Sequence, residues 1–296
     1  FESGRVQNKR TYRRRLRQTF KSGERQTFMN GIVCINKRSG MTSSDVVVKV
    51  RNALSKATGE KQKAGHFGTL DPDGMGVLVI GIGNSARLFD YTLNKQKMYR
   101  ACFVFGSETD TLDASGEVVA MSNVIPSAAQ IKDVLPQMQG RQMQMPPKYS
   151  ALSVGGVKAY KLARSGKDVE LSPREIDIFE IKMNEDFLSE NSNEFEFTIR
   201  CSSGTYVRSI ARDMAKKLGT LGYMKYIIRE QSGTVNISDC ITLEEFLKSP
   251  IDNVKSNEIM LKDYEHYELK NQFREKALNG VRLKIEDLPT GVFVLT

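Results

Sequence analysis

Twelve consecutive residues hold the densest chemistry in the chain: Gly65-His66-Phe67-Gly68-Thr69-Leu70-Asp71-Pro72-Asp73-Gly74-Met75-Gly76. Pro72 biases Asp71 toward an extended backbone. The glycines allow positive φ and let a large ligand approach the main chain closely. A carboxylate held outward on such a loop suits a nucleophile or a general base. The structural alternative is an Asx-turn aspartate before proline. On spacing alone, His66 reads as a histidine that caps or packs the glycine loop.

Three other constellations compete. In Ser202-Ser203-Gly204-Thr205-Tyr206-Val207-Arg208, a turn opens a helix on which Arg208 and Arg212 share a face. Free N–H groups beside two guanidiniums suit a phosphate or a buried carboxylate, and solvated surface arginines are the plainer alternative. From Met145 through Tyr149, Lys158, Tyr160, Lys161 and Arg164, basic and tyrosine side chains interleave. Such a segment can track a phosphate backbone and stack bases, or it is simply a solvated loop. Gly81-Ile82-Gly83-Asn84-Ser85-Ala86 fits a GxGxxA dinucleotide fingerprint, with Glu108 further on. That makes a nicotinamide-dependent oxidoreductase the second reading. The brief helix expected there argues against the parallel crossover such a site requires.

These residues need positioning elements. Gly31–Ile35 reads as a strand. Val46, Val47, Val50 and Leu54 fall on one helical face behind the turn Gly40–Asp45, which offers several possible N-caps. Strands are expected at Val77–Ile80, Tyr99–Phe105, Glu117–Ala120 and Phe195–Cys201. Helices are expected at about Ser85–Leu93, from Ser127 to about Met138, and from Val207 to Gly219. Thr242 and Glu245 form a capping box. Val281–Leu283 and Val292–Leu295 read as short strands of a small C-terminal unit. Residues 140–170 show little period and read as a long loop insertion. Helices and strands mix without a βαβ rhythm, which predicts an α+β fold.

Composition narrows the classes. The chain has 296 residues, 40% hydrophobic and 27% charged, which excludes a wholly disordered protein. No run of 18 apolar residues occurs, so no membrane span is expected. Cys34, Cys102, Cys201 and Cys240 are far apart and only two histidines are present. That argues for a reducing compartment and against a metal site. Of the net charge of +9, residues 1–28 supply most, with nine basic and two acidic residues; the remaining chain is nearly balanced. Residues 1–28 read as a disordered basic arm, an Arg-rich presequence or sequence upstream of the true start, with Met29 opening the fold. An RNA-binding arm is the alternative.

Taken together, the strings resemble the TruB-type tRNA pseudouridine synthases. The family's GHxGTLDPxAxGVL string is matched by Gly65–Leu78, with Gly74 in the usual place of alanine. KxYxA is matched by Lys97-Met98-Tyr99-Arg100-Ala101, and QxPPxYSALxxxGxxxYxxAR by Gln144–Arg164. CSxGTYxRSxxxDxxxxLG is matched by Cys201–Gly219, and the Asn30–Asp45 opening is also similar. The resemblance spans roughly residues 29–235.

It implies an α+β pseudouridine synthase fold, with a mixed central sheet and flanking helices. It also implies a thumb loop at about 142–166 and a reduced PUA-like unit within 236–296. The implied activity isomerises the T-loop uridine of tRNA (position 55) to pseudouridine by base flipping, with no metal or organic cofactor. Asp71 would be the nucleophile, attacking sugar or ring, and Arg208 its ion-pair partner. Tyr99 would lie against the flipped base and assist proton movement at the sugar. Tyr206 would support the pocket, His66 would fill the space the base vacates, and Ile227 would line an apolar wall. Lys148, Tyr149, Lys158, Lys161 and Arg164 would meet the RNA from the thumb.

Two departures stand out. Arg38 replaces a proline after Lys37, and Ile227-Ile228-Arg229 stands where Leu-Arg-Arg is usual, which puts one phosphate contact in doubt. The expected partner is the tRNA T arm, with no membrane and a monomeric state. The expected location is the cytoplasm, or the mitochondrion if residues 1–28 are a presequence. A catalytically silent RNA-binding protein is the third class.

Overall fold

The computed structural model describes residues 29–92, 96–150, 152–159, 162, 165, 171–187, 189, 191–279, 281 and 293–295. The expected N-terminal arm lies outside the described residues, as does most of the Val281–Leu283 strand.

The described chain opens with the apolar strand β1 (Gly31–Lys37) and helix α1 (Ser43–Thr58). The Thr42 hydroxyl accepts the Asp45 N–H, the Asp45 carboxylate accepts the Thr42 N–H, and Gly59 closes the helix at φ 73°. Short β2 (Ala64–His66) leads into the glycine loop and β3 (Met75–Ile82) leaves it. A 3-10 turn (Gly83–Leu88) and single-turn α2 (Phe89–Thr92) follow, then β4 (Lys97–Phe105) and a hairpin of β5 (Ser107–Thr109) with β6 (Val118–Met121). Helix α3 (Ala128–Val134) passes into a 3-10 turn at Pro136, which lacks the N–H that a longer α-helix would use.

The expected loop insertion begins instead as strand β7 (Gly140–Gln144). A small hairpin of β8 (Ser153–Val154) and β9 (Val157–Lys158) comes next. β10 (Arg174–Met183), β11 (Glu194–Cys201), α4 (Val207–Lys217), β12 (Gly222–Ser232) and β13 (Val235–Asn236) complete the central unit.

The main sheet runs β1-β3-β12-β4-β11-β10-β7, with β2 on β3 and β13 on β12. It is mixed: β3 and β12 pair in parallel and the other neighbours are antiparallel. α3 and α4 cover β4, β10, β11 and β12 through a core that includes Phe103, Phe197, Ile210 and Met214. α1 covers β1 and β3 through Val46, Val50 and Leu54. Burial of these apolar stripes, at about 25 cal/mol per Å², is the main force holding helices to sheet.

The rest of the described chain contains α5 (Leu243–Lys248), α6 (Glu258–Leu261), β14 (Glu265–Tyr267), α7 (Asn271–Leu278) and β15 (Phe293–Leu295). Its first part packs into the same cores: Phe246 is fully buried with Val33 and Leu78, and Met260 packs with Ile32 and Val79.

The dinucleotide reading fails here. β3 is antiparallel to β1, and Gly83 opens a 3-10 turn rather than a crossover helix. A Cβ on Gly81 would stand 2.7 Å from Ala86 Cα and 2.8 Å from the Phe67 ring. That glycine lets the chain fold on itself and leaves no room for a pyrophosphate.

Candidate active site

The Asp71 loop is held from three sides. The Ser43 hydroxyl, on the first residue of α1, donates to Leu70 O and accepts Leu70 N–H, both at 2.8 Å. Lys37, at the end of β1, donates from Nζ to Pro72 O at 2.8 Å and Gly74 O at 2.6 Å. Arg229 of β12 donates to Gly68 O, Thr69 O and Val77 O at 3.1, 3.2 and 2.8 Å. Gly74 N–H closes a turn onto Asp71 O at 3.0 Å. With main chain and flanks fixed, the Asp71 carboxylate is left 45% exposed at a cavity of about 890 Å³.

The side chain facing it is Arg208, at the start of α4 and only 6% exposed. Nη2 lies 3.0 Å from Asp71 Oδ2 and also donates to Tyr149 O at 3.0 Å. Nη1 lies 3.2 Å from Asp113 Oδ2 and donates to Thr111 O at 2.9 Å. A planar fork can serve four acceptors in this way, and an ammonium cannot. The neighbouring charge and the fixed direction together aim the Asp71 carboxylate at the cavity.

Asp113 is the functional candidate that sequence reasoning missed. It lies in a polar turn between β5 and β6, where Thr111 Oγ1 and Ser115 Oγ donate to its Oδ1 at 2.7 and 2.6 Å. Leu112 beside it has φ 61°, the one positive-φ non-glycine residue among the described residues. Such a backbone costs of order 1 kcal/mol or more and persists where surroundings impose it. Here it presents Thr111 O and Asp113 to the same guanidinium. The only signal in the sequence was a cluster of short polar residues.

The other expected site residues divide. His66 and Ile227 line the cavity, as do the loop residues Thr69 and Leu70. Burial and the Arg229 charge lower the His66 pKa, which keeps the imidazole neutral at neutral pH, and its Nδ1 has no hydrogen-bond partner among the described residues. Tyr149 also lines the cavity. Tyr99 and Tyr206 are not among the lining residues. Tyr99 is 7% exposed on β4, and burial pushes its phenol up to about 12 against the pull of the Arg229 guanidinium. Tyr206 caps α4; its N–H donates to Gln144 Oε1 at 2.8 Å and its carbonyl accepts from Gln144 Nε2 at 3.1 Å, and burial raises its phenol. Lys148 is exposed. Lys161, Arg164 and the side chain of Lys158 lie outside the described residues.

Arg229 does not lie where a surface phosphate contact would: it is 1% exposed. Arg38, the proline replacement, reaches Glu244 at 3.5 Å on the surface. Among the described residues no three His, Cys, Asp or Glu side chains gather as metal ligands, and no helix is long and apolar enough to cross a membrane.

A mixed sheet of this order, with a buried arginine clasping a loop aspartate at an open cavity, defines the pseudouridine synthase class. A solved Cbf5-Nop10-Gar1 complex contains a chain that superposes with a TM-score of 0.64 at 22% identity, over 85% of this chain and 67% of that one, which shows the shared fold. Residues 56–207 match the family described as TruB family pseudouridylate synthase (N terminal domain). The tRNA pseudouridine synthase B of Bacillus pumilus is 38% identical over 267 residues, covering 88% of this chain and 85% of that protein. The protein of that name from Aquifex aeolicus is 38% identical over 263 residues, 88% of each chain. The chain belongs to the TruB family.

Proposed function

We propose that the protein is a tRNA pseudouridine synthase that isomerises the T-loop uridine at position 55. The reaction breaks the bond from C1′ to N1, turns the base and joins C5 to C1′; N1 gains a proton and C5 loses one. No net oxidation occurs and no outside group is consumed. Because the glycosidic bond is shielded while the base is stacked, the nucleotide must be flipped out, at a cost of a few kcal/mol. Asp71 carries the covalent step and Arg208 orients it. His66, Tyr99, Tyr206 and Ile227 form the surroundings of the flipped nucleotide. The segment from about 142 to 166 acts as a thumb on the RNA, and its cations make binding salt-dependent. The protein acts as a monomer in the cytoplasm.

The observation that carries this reading is the Asp71–Arg208 pair, 3.0 Å apart in the lining of the cavity. The test is incubation with T-arm RNA followed by carbodiimide mapping of pseudouridine. Wild-type protein yields a stop at the T-loop uridine. Asp71→Asn yields none while binding tRNA nearly as tightly. Normal turnover by Asp71→Asn overturns the mechanism, and tRNA binding without product by wild type makes the protein a silent RNA binder.

A further inference from the structure

Besides Asp71 and Arg208, the site rests on three further cations, Lys37 and Arg229 fully buried and Lys97 half-buried. Lys37, Lys97 and Arg229 converge beneath the Asp71 loop, and none forms an ion pair with a carboxylate among the described residues. A Cβ on Gly68 would stand 3.1 Å from Lys97 Nζ and 3.8 Å from Arg229 Nη1, so both cations lie against the start of that loop. Arg229 is the most constrained of the three. It is 1% exposed, and Nε, Nη1 and Nη2 all donate to main-chain carbonyls. Gly68 and Thr69 precede Asp71 and Val77 follows it, so one guanidinium ties both arms of the loop together.

The β12–β4 register sets Arg229 directly opposite Tyr99. The guanidinium also bears on the Tyr99 phenol, where it opposes the effect of burial. A buried charge facing neutral carbonyls is costly, and a packed aliphatic side chain would hold two strands together without that cost. The arginine therefore supplies something packing does not: a rigid, charged link between the strand of Tyr99 and the loop of Asp71.

We propose that Arg229 is a positioning residue of the isomerisation, fixing the Tyr99 phenol and the Asp71 carboxylate in one frame so that both meet the same flipped nucleotide. The proposal rests on the isomerase reading above.

The test is a double-mutant cycle on T-arm RNA. Arg229→Lys keeps the charge, but one ammonium cannot span three carbonyls and a phenol. In an otherwise wild-type chain it lowers kcat about a hundredfold and moves KM less than about threefold. In the Tyr99→Phe background the same change costs at least about threefold less than in the wild-type chain, because one of the two groups it acts through is gone. Equal losses in both backgrounds overturn the proposal, and so does a raised KM with unchanged kcat, which would make Arg229 an RNA contact. Absence of product with wild-type protein sinks the isomerase reading instead, so the two failures are distinct. If Arg229→Lys melts below the assay temperature, NMR of the wild-type chain decides. Cross-peaks from slowly exchanging Arg229 guanidinium protons to the Tyr99 ring support the proposal, and their absence overturns it.

Discussion

Lys37 tests in energy units how the Asp71 loop is held. Its ammonium is 1% exposed and donates to Arg38 O, Pro72 O and Gly74 O at 2.9, 2.8 and 2.6 Å. Burial lowers its pKa from 10.5 to about 8; Asp73 and Asp71 pull the other way, and Arg229 adds to the fall. The unfolded chain returns the amine to its ordinary value. Below about pH 8 the amine is protonated in both states, and the folded state bears the whole cost of the buried charge. As pH rises from there the folded amine sheds its proton while the unfolded one keeps it, so stability increases until the unfolded amine also titrates. At ~1.4 kcal/mol per pKa unit the full effect is about 3 kcal/mol, of which roughly 2 kcal/mol is realised by about pH 9.5.

Lys37→Met abolishes this titration. Urea unfolding of both proteins at about pH 7 and about pH 9.5 therefore shows wild type gaining roughly 2 kcal/mol on the variant over that interval. Comparing the two proteins cancels Lys97, which titrates over the interval, and the buried Cys102 and Tyr226, whose raised folded values contribute to the pH dependence of both proteins alike. A difference that stays constant with pH, or one in which wild type loses ground as pH rises, refutes the reasoning.

Three further outcomes follow from the same geometry. Arg208→Lys leaves at least one of four acceptors unserved and lowers kcat about a hundredfold or more with the fold retained, read by tritium release from 5-tritiated uridine in tRNA. Gly76→Ala places a Cβ 2.2 Å from Arg229 O at φ 95°, so it destabilises by about 3 kcal/mol or more in urea unfolding. Ser43→Ala strips partners from both the N–H and the C=O of Leu70 and costs about 2 kcal/mol, with a matching fall in the urea midpoint.

What the sequence made legible depended on whether the partner of a residue also leaves a mark. α1 and α4 could be read because their buried residues repeat at helical spacing, and Thr42 and Gly59 punctuate the first of them. Asp71 could be read because glycine and proline around it announce an unusual backbone. The long strand β12 could not. Register shifts between Met224 and Tyr226 and between Arg229 and Gln231 break the alternation by which a strand is recognised, and charged residues stand among its apolar ones. β7 was hidden for a related reason: as an edge strand with Met143 exposed it carries only a faint alternating pattern.

Partner chemistry sorts the candidate site in the same way. Arg208 pairs with Asp71, a partner that the family resemblance implies and the residues alone do not. Lys37 and Arg229 pair with carbonyls, which every residue possesses, so no residue type in the loop points back to them. Neither Lys37 nor Arg229 draws a role from the sequence, yet both are about 1% exposed beneath one loop. Where a main-chain carbonyl is the acceptor, only the fold reveals the donor's purpose. Cations of this kind are therefore the residues whose substitution should surprise a reader of the sequence alone, with Lys37→Met changing the pH response of stability and Arg229→Lys changing kcat rather than RNA affinity.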